Sequence, residues 1–128
     1  MLEDKVILVV DDDYTLLQMY NERIKQEGAI VVTAQDGAGA LQQASESRPH
    51  IILLDLMMPG MSGLDVLRQL KADETVKNIP VIVFSALADE NNRKKAMDLG
   101  AVEYMVKADV LPIDVVEKIK GVIAGHIK

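Results

Sequence analysis

Asp11, Asp12 and Asp13 follow directly on an uninterrupted apolar run, Val6-Ile7-Leu8-Val9-Val10, and Asp55 directly follows a second, Ile51-Ile52-Leu53-Leu54. Runs of this kind are the pattern of parallel strands buried on both faces. A charge is costly inside such a strand, so each acid must sit where its strand leaves the core. In open parallel sheets the carboxyl ends of the strands are where ligands bind. Three carboxylates meeting in one crevice repel one another unless one takes up a proton, splays into solvent or meets a cation. A hard divalent cation with oxygen ligands resolves the conflict, and Mg²⁺ is often held by one or two carboxylates with waters and a phosphate. The plainer reading makes Asp55 a turn residue and the Asp11 run an acidic start to a helix. It accounts for one or two of the acids but not for a third ending the neighbouring strand.

Two further positions supply what a phosphoryl site would need. Ser85 ends the apolar run Val81-Ile82-Val83-Phe84 with a hydroxyl, and Lys107 follows Val102 to Val106 with a positive charge. Singly, each reads as a turn serine and a solvated lysine. Together, an acid, an acid, a hydroxyl and an amine at one end of one sheet make coincidence a poor explanation.

The elements that must position these groups alternate along the chain. Between the strands, Tyr14 to Glu27 reads as a helix stopped by Gly28, and Asp36 N-caps a short helix to about Glu46, closed by Arg48-Pro49. Ile30-Val31-Val32-Thr33-Ala34 is the second strand. Ser62-Gly63-Leu64-Asp65 has capping-box spacing, with Asp for Glu, and opens a helix through about Ala72. Asp89 caps a fourth helix that Gly100 ends, and Arg93-Lys94-Lys95 within it reads as a solvated face. Pro112 sits in the first turn of a last helix carrying Val115, Val116, Ile119, Ile123 and Ile127 at helical spacing. The fifth strand is the least apolar, which suits a sheet edge. Five strands alternating with five helices predict a three-layer α/β/α fold with right-handed crossovers and a parallel, flavodoxin-like sheet of order 2-1-3-4-5. That order sets strands one and three side by side and brings Asp11, Asp12 and Asp55 together.

Bulk properties narrow the function. The 128 residues fit one domain with a substantial core of Val, Ile, Leu, Met and Ala, since Tyr14, Tyr20, Tyr104 and Phe84 are the only aromatics. Without cysteine there is no disulfide, thiolate metal site or thiol chemistry, which permits a reducing cytoplasm. No signal peptide is recognisable, and the apolar runs are too short to span a bilayer. A net charge of −6 argues against direct nucleic-acid binding.

The motifs Val-Asp-Asp-Asp after strand one, Leu-Leu-Asp-Leu-Met-Met-Pro-Gly-Met-Ser-Gly after strand three, Ser85-Ala86, and Tyr104-Met105-Val106-Lys107 resemble the receiver domain of two-component response regulators, the CheY-like fold. The resemblance runs from about Lys5 to the last helix. It implies that Asp55 is the phosphoacceptor, with Asp12, Asp55 and the Met57 backbone carbonyl as direct ligands of Mg²⁺ (or Mn²⁺) and Asp11 acting through water. It further implies that Ser85 and Lys107 receive the phosphoryl oxygens. Ser85 and Tyr104 then form the switch, Tyr104 turning inward and altering the surface of helix four, strand five and helix five. Three carboxylates at −3 against Mg²⁺ and Lys107 at +3 leave the site balanced before a phosphoryl group arrives.

Two departures mark this chain. Most receivers place proline after the lysine, usually with a cis peptide, whereas here Ala108 follows Lys107, so the path into the last helix is expected to differ. Met57 and Leu87 are large and apolar, and are expected to flank the entrance, hinder attacking water and slow loss of the phosphoryl group. Asp13 reads as a helix N-cap.

The resemblance implies a cytoplasmic signalling domain, not an enzyme acting on other molecules; residues 1–128 are expected to form that single domain with no output domain, as a stand-alone regulator or as a domain cut from a longer protein. A histidine kinase or phosphotransfer protein would dock near Tyr14 and Gln18, and a target protein would bind the helix four–strand five–helix five face. Neither His50, at the far end of the sheet, nor His126 reads as a phosphoryl carrier. A haloacid-dehalogenase-type phosphatase would need Asp-x-Asp after its first strand and a cap, and Leu56-Met57 follows Asp55 instead. A flavin site would need a hydroxyl- and glycine-rich loop where the acids stand. A pseudo-receiver that only binds a partner would not require every acceptor-site residue.

Overall fold

Uninterrupted apolar runs become strands here because helices cover both of their faces. The computed structural model describes residues 2–126, with the His126 side chain and Ile127 outside that description. The order is β1 (Val6–Val10), α1 (Tyr14–Lys25), β2 (Ile30–Ala34), α2 (Gly37–Ser47), β3 (Ile51–Leu54), α3 (Gly63–Ala72), β4 (Val81–Ser85), α4 (Glu90–Asp98), β5 (Glu103–Val106) and α5 (Pro112–His126), with a 3-10 turn at Lys107–Asp109. All strands are parallel, in the order β2-β1-β3-β4-β5. This is the fold expected from the alternation.

Alternate residues of each strand point to opposite layers. Leu8, Val10, Ile52, Leu54, Val81 and Val83 pack under α2, α3 and α4, meeting Ala40, Ala44, Val66, Leu67, Leu70 and Ala96. Ile7, Val9, Ile51, Leu53, Ile82 and Phe84 pack under α1 and α5, meeting Leu17, Tyr20, Ile24, Val115, Val116 and Ile119. Truncating a fully buried member such as Leu67 to alanine costs about 2–5 kcal/mol.

Four helices start at the caps the sequence suggested. Asp13, Asp36, Ser62 and Asp89 accept from the backbone N–H of Leu16, Gly39, Asp65 and Asn92. The Ser62 hydroxyl also donates to Asp65 Oδ2, so the short Asp closes onto the cap side chain, 3.2 Å away. Boundaries differ by a residue or two. Helix α1 ends at Lys25 with Gln26 as C-cap, and β5 begins at Glu103, one residue later than expected. Strand β5 is an edge, as its composition suggested, and β2 is the other. The register pairs Val10 with Leu54, Leu54 with Val83, and Ser85 with Val106, so the residues that follow β1 and β3 leave the sheet together.

Candidate functional site

That register brings the chemistry-bearing residues to one end of the sheet, around an open hollow lined by Asp11, Asp12, Asp55, Met57, Ala86 and Lys107. Asp11 follows β1, and its amide continues the pairing by donating to the Ala34 carbonyl. Asp55 follows β3, and its amide likewise donates to the Val10 carbonyl. The backbone ladder therefore delivers both carboxylates. One oxygen each from Asp11, Asp12 and Asp55 lies within 4.8 Å of the others. Asp11 and Asp55 are buried, Asp12 is exposed, and Ser85 is fully buried.

The two buried carboxylates are held differently. Asp11 is satisfied at both oxygens: Oδ1 accepts from the Asp13 amide at 2.9 Å, and Oδ2 accepts from Lys107 Nζ at 2.6 Å. Asp55 has one long contact, from the Met57 amide to Oδ1 at 3.3 Å, while Lys107 Nζ stands 3.6 Å from Oδ2. Burial and the neighbouring Asp11 charge push the Asp55 carboxyl above the usual carboxylate range, against the opposing pull of Lys107 and the Met57 amide. Asp55 is the under-bonded carboxylate of the two.

Within the hollow, the cluster of Asp11, Asp12 and Asp55 (−3) with Lys107 (+1) carries a formal charge of −2, and Asp13 adds a further negative charge to the lining. An oxygen-ligated divalent cation fits that charge and that donor set. Met57 lines the hollow, as a carbonyl ligand there would have to.

Gly63, the first residue of α3, has a role that its cap-box reading missed. Its amide donates to the Leu56 carbonyl at 3.0 Å. A Cβ at this position would clash with the Asp55 carbonyl oxygen and lie 2.5 Å from Leu56 Cα. The start of α3 is therefore pressed against the backbone that carries Asp55. The glycine is visible in sequence, but the close approach arises only in the fold.

Ser85 and Tyr104 meet through one loop residue. Ser85 Oγ accepts from the Leu87 amide at 3.2 Å, and the Tyr104 hydroxyl donates to the Leu87 carbonyl at 2.8 Å. Tyr104 is 4% exposed, so its ring is turned inward. Burial raises its phenol. This bonding folds the β4–α4 loop back, and the Leu87 side chain packs against the core. Met57, 53% exposed, and Ala86 flank the hollow, in place of the expected Met57 and Leu87 pair.

Beyond Lys107 the chain turns through the 3-10 segment at Ala108, and no cis peptide occurs among the described residues. Tyr14 and Gln18 are exposed on α1. His50 is at the opposite end of the sheet, where its Nδ1 accepts from the Val6 amide. Lys94 and Lys95 are exposed as expected, but Arg93 is half-buried against Tyr104. Among the described residues, no helix is long and apolar enough to cross a membrane.

Residues 7–119 match the family model described as the response regulator receiver domain. The chain is 42% identical over 108 residues to response regulator PleD of Caulobacter vibrioides, covering 84% of this chain and 23% of that protein. It is 41% identical over 102 residues to transcriptional regulatory protein KdpE of Mycobacterium tuberculosis, covering 80% and 44%. It thus spans less than half the length of these curated relatives. Among solved structures it resembles a CheY-like receiver domain protein from Methanospirillum hungatei, with a TM-score of 0.89, 27% identity and 97% of each chain covered. A Francisella response regulator receiver domain gives a TM-score of 0.87 at 26% identity, over 98% of this chain and all of that one (100%).

Proposed function

This chain belongs to the response regulator receiver family, and we propose that it accepts a phosphoryl group on Asp55 from the phosphohistidine of a histidine kinase or phosphotransfer protein. The observation that carries this is the under-bonded Asp55 carboxylate, buried beside Asp11 and within 3.6 Å of the Lys107 amine.

An Asp55 oxygen attacks phosphorus in line; the new O–P bond forms as the N–P bond to the donor imidazole breaks. Lys107 already bridges Asp11 and Asp55, so its charge is in place for the arriving phosphoryl oxygens. Asp11, Asp12, Asp55 and the Met57 carbonyl would hold Mg²⁺ or Mn²⁺. Bound there, the ion would supply positive charge against the phosphoryl oxygens beyond what the site's single lysine, Lys107, provides. Met57, large and apolar at the rim, restricts the approach of hydrolytic water.

Ser85 and Tyr104 form the switch. The Ser85 hydroxyl turns toward the phosphoryl oxygens, the phosphoryl-bearing state favours the inward Tyr104 seen here over an outward one, and the loop between them re-forms at Leu87. The surface of α4, β5 and α5 changes with it and engages a target protein. The donor docks beside the hollow at Tyr14 and Gln18, and the whole operates in the cytoplasm. The chain catalyses only its own phosphorylation and dephosphorylation.

Intact mass after incubation with acetyl phosphate and Mg²⁺ tests this. One added phosphoryl group, lost in Asp55→Asn and in chelator, is the expected result. No addition under any condition would reduce the chain to a partner-binding module on the same fold.

A further inference from the structure

Helix α4 is the most weakly anchored element near the switch. Ala96 is its one buried residue, and its other positions are polar or exposed apart from the half-buried Arg93 and Asn92. Lys94 pairs with Asp98 on the same helix. Arg93 behaves differently from both neighbouring lysines. Its guanidinium carbon lies 5.7 Å from the centroid of the Tyr104 ring, and Nη1 reaches the Tyr104 carbonyl oxygen at 3.4 Å. Among the described residues it makes no ion pair with a carboxylate, although Asp89 and Glu90 are close in sequence. A guanidinium prefers an aromatic face when both are partly withdrawn from water.

The ring it covers is also fixed from the other side, where the Tyr104 hydroxyl donates to Leu87. Tyr104 is thus clasped at its hydroxyl by the β4–α4 loop and at its ring and carbonyl by α4. Turning the ring outward would break the hydroxyl bond and forfeit the contact of the ring with Arg93. The position of α4 and the orientation of Tyr104 therefore change together.

We infer that Arg93 is a latch: a positioning residue that holds Tyr104 inward, ties α4 to that orientation, and so biases the domain toward its phosphoryl-bearing state. This rests on the proposed acceptor role of Asp55 and names what regulates it. A contact made only with the inward ring shifts the two-state balance by its own differential strength, and the acceptor site feels the same shift by linkage.

The test is a beryllofluoride titration in Mg²⁺, followed by ¹⁹F NMR, on the whole chain and on Arg93→Ala, Arg93→Lys, Tyr104→Phe and Tyr104→Ala. Arg93→Ala is expected to weaken beryllofluoride binding by about threefold to tenfold, the scale of one partly desolvated cation–ring contact. Arg93→Lys recovers part of it. The loss persists in the Tyr104→Phe background, which keeps the ring, and disappears in Tyr104→Ala, which removes it. Hydrogen exchange without any ligand gives a readout independent of Asp55: α4 amides exchange faster in Arg93→Ala. Unchanged or tighter binding, an equal loss in the Tyr104→Ala background, or unchanged exchange in α4 would overturn the latch. Failure of the unmodified chain to bind beryllofluoride, with faster α4 exchange in Arg93→Ala, would instead overturn the acceptor reading and with it the bias assigned to Arg93.

Discussion

Lys107 Nζ sits 2.6 Å from Asp11 Oδ2 and 3.6 Å from Asp55 Oδ2, so the site's one amine is bonded to the well-satisfied acid and held within reach of the under-bonded one. Replacing Lys107 with Met keeps the stem's bulk and removes the charge. The rate of Asp55 phosphorylation by acetyl phosphate should then fall about 100-fold, the scale of losing one preorganised charge partner at a reacting oxygen. Initial rates by intact mass would check this, and a rate near that of the unmodified chain would leave Lys107 without a role in transfer.

Asp55 has a folded-state pKa raised by burial and by Asp11, so its ionisation opposes folding. The penalty is absent below the unfolded pKa of about 4 and sets in as pH rises through the higher folded value. In chelator, the unmodified chain should lose stability relative to Asp55→Asn as pH climbs above about 4. Excess Mg²⁺ should reverse the order, because binding to the folded state adds about 2.7 kcal/mol at a hundredfold excess over Kd. Urea denaturation of both proteins across this range decides it. Parallel curves would show that the carboxylates are not in conflict.

Gly63→Ala places a methyl group against the Asp55–Leu56 backbone and should cost about 1–3 kcal/mol while displacing the acceptor loop. Gly121 on α5 offers the contrast, since a Cβ there meets nothing within 4 Å. Gly121→Ala should stabilise the chain by about 0.5–1 kcal/mol through helix propensity alone. Urea midpoints for the pair would show opposite signs, and only the first should slow phosphorylation.

Met57 is 53% exposed at the rim of the hollow. Met57→Asn offers a hydrogen-bonding group to incoming water and should shorten the phosphoryl lifetime about tenfold, equivalent to 1.36 kcal/mol of barrier. The decay of the phosphorylated mass after removal of donor measures it. An unchanged lifetime would rule out Met57 as a gate.

The strands and their acids were legible because a doubly buried parallel strand admits almost nothing but apolar residues. A carboxylate at the end of Val6–Val10 or Ile51–Leu54 then marks a boundary and a site at once. The caps were equally plain, since Asp13, Asp36, Ser62 and Asp89 act on amides three residues away. Contacts that depend on how two elements meet were not legible. Nothing in Glu90–Asp98 distinguishes Arg93 from Lys94 and Lys95 until Tyr104 is placed beneath it. Gly63 looks like a turn residue until α3 is docked on the Asp55 backbone. Leu87 was read by its side chain, whereas its backbone makes the connections.

The residue bonded to Asp11 directly follows a strand that pairs only with β4, and it lies 96 positions later in the chain. During synthesis, Asp11 and Asp55 are therefore made before their lysine exists. A nascent or partly folded chain holds the acids without the counter-charge, and the longest-range contact of the site closes when β5 docks. On the acceptor role proposed for Asp55, phosphorylation would in that sense report on completed folding: a molecule whose edge strand has frayed away keeps Asp55 but lacks the amine beside it.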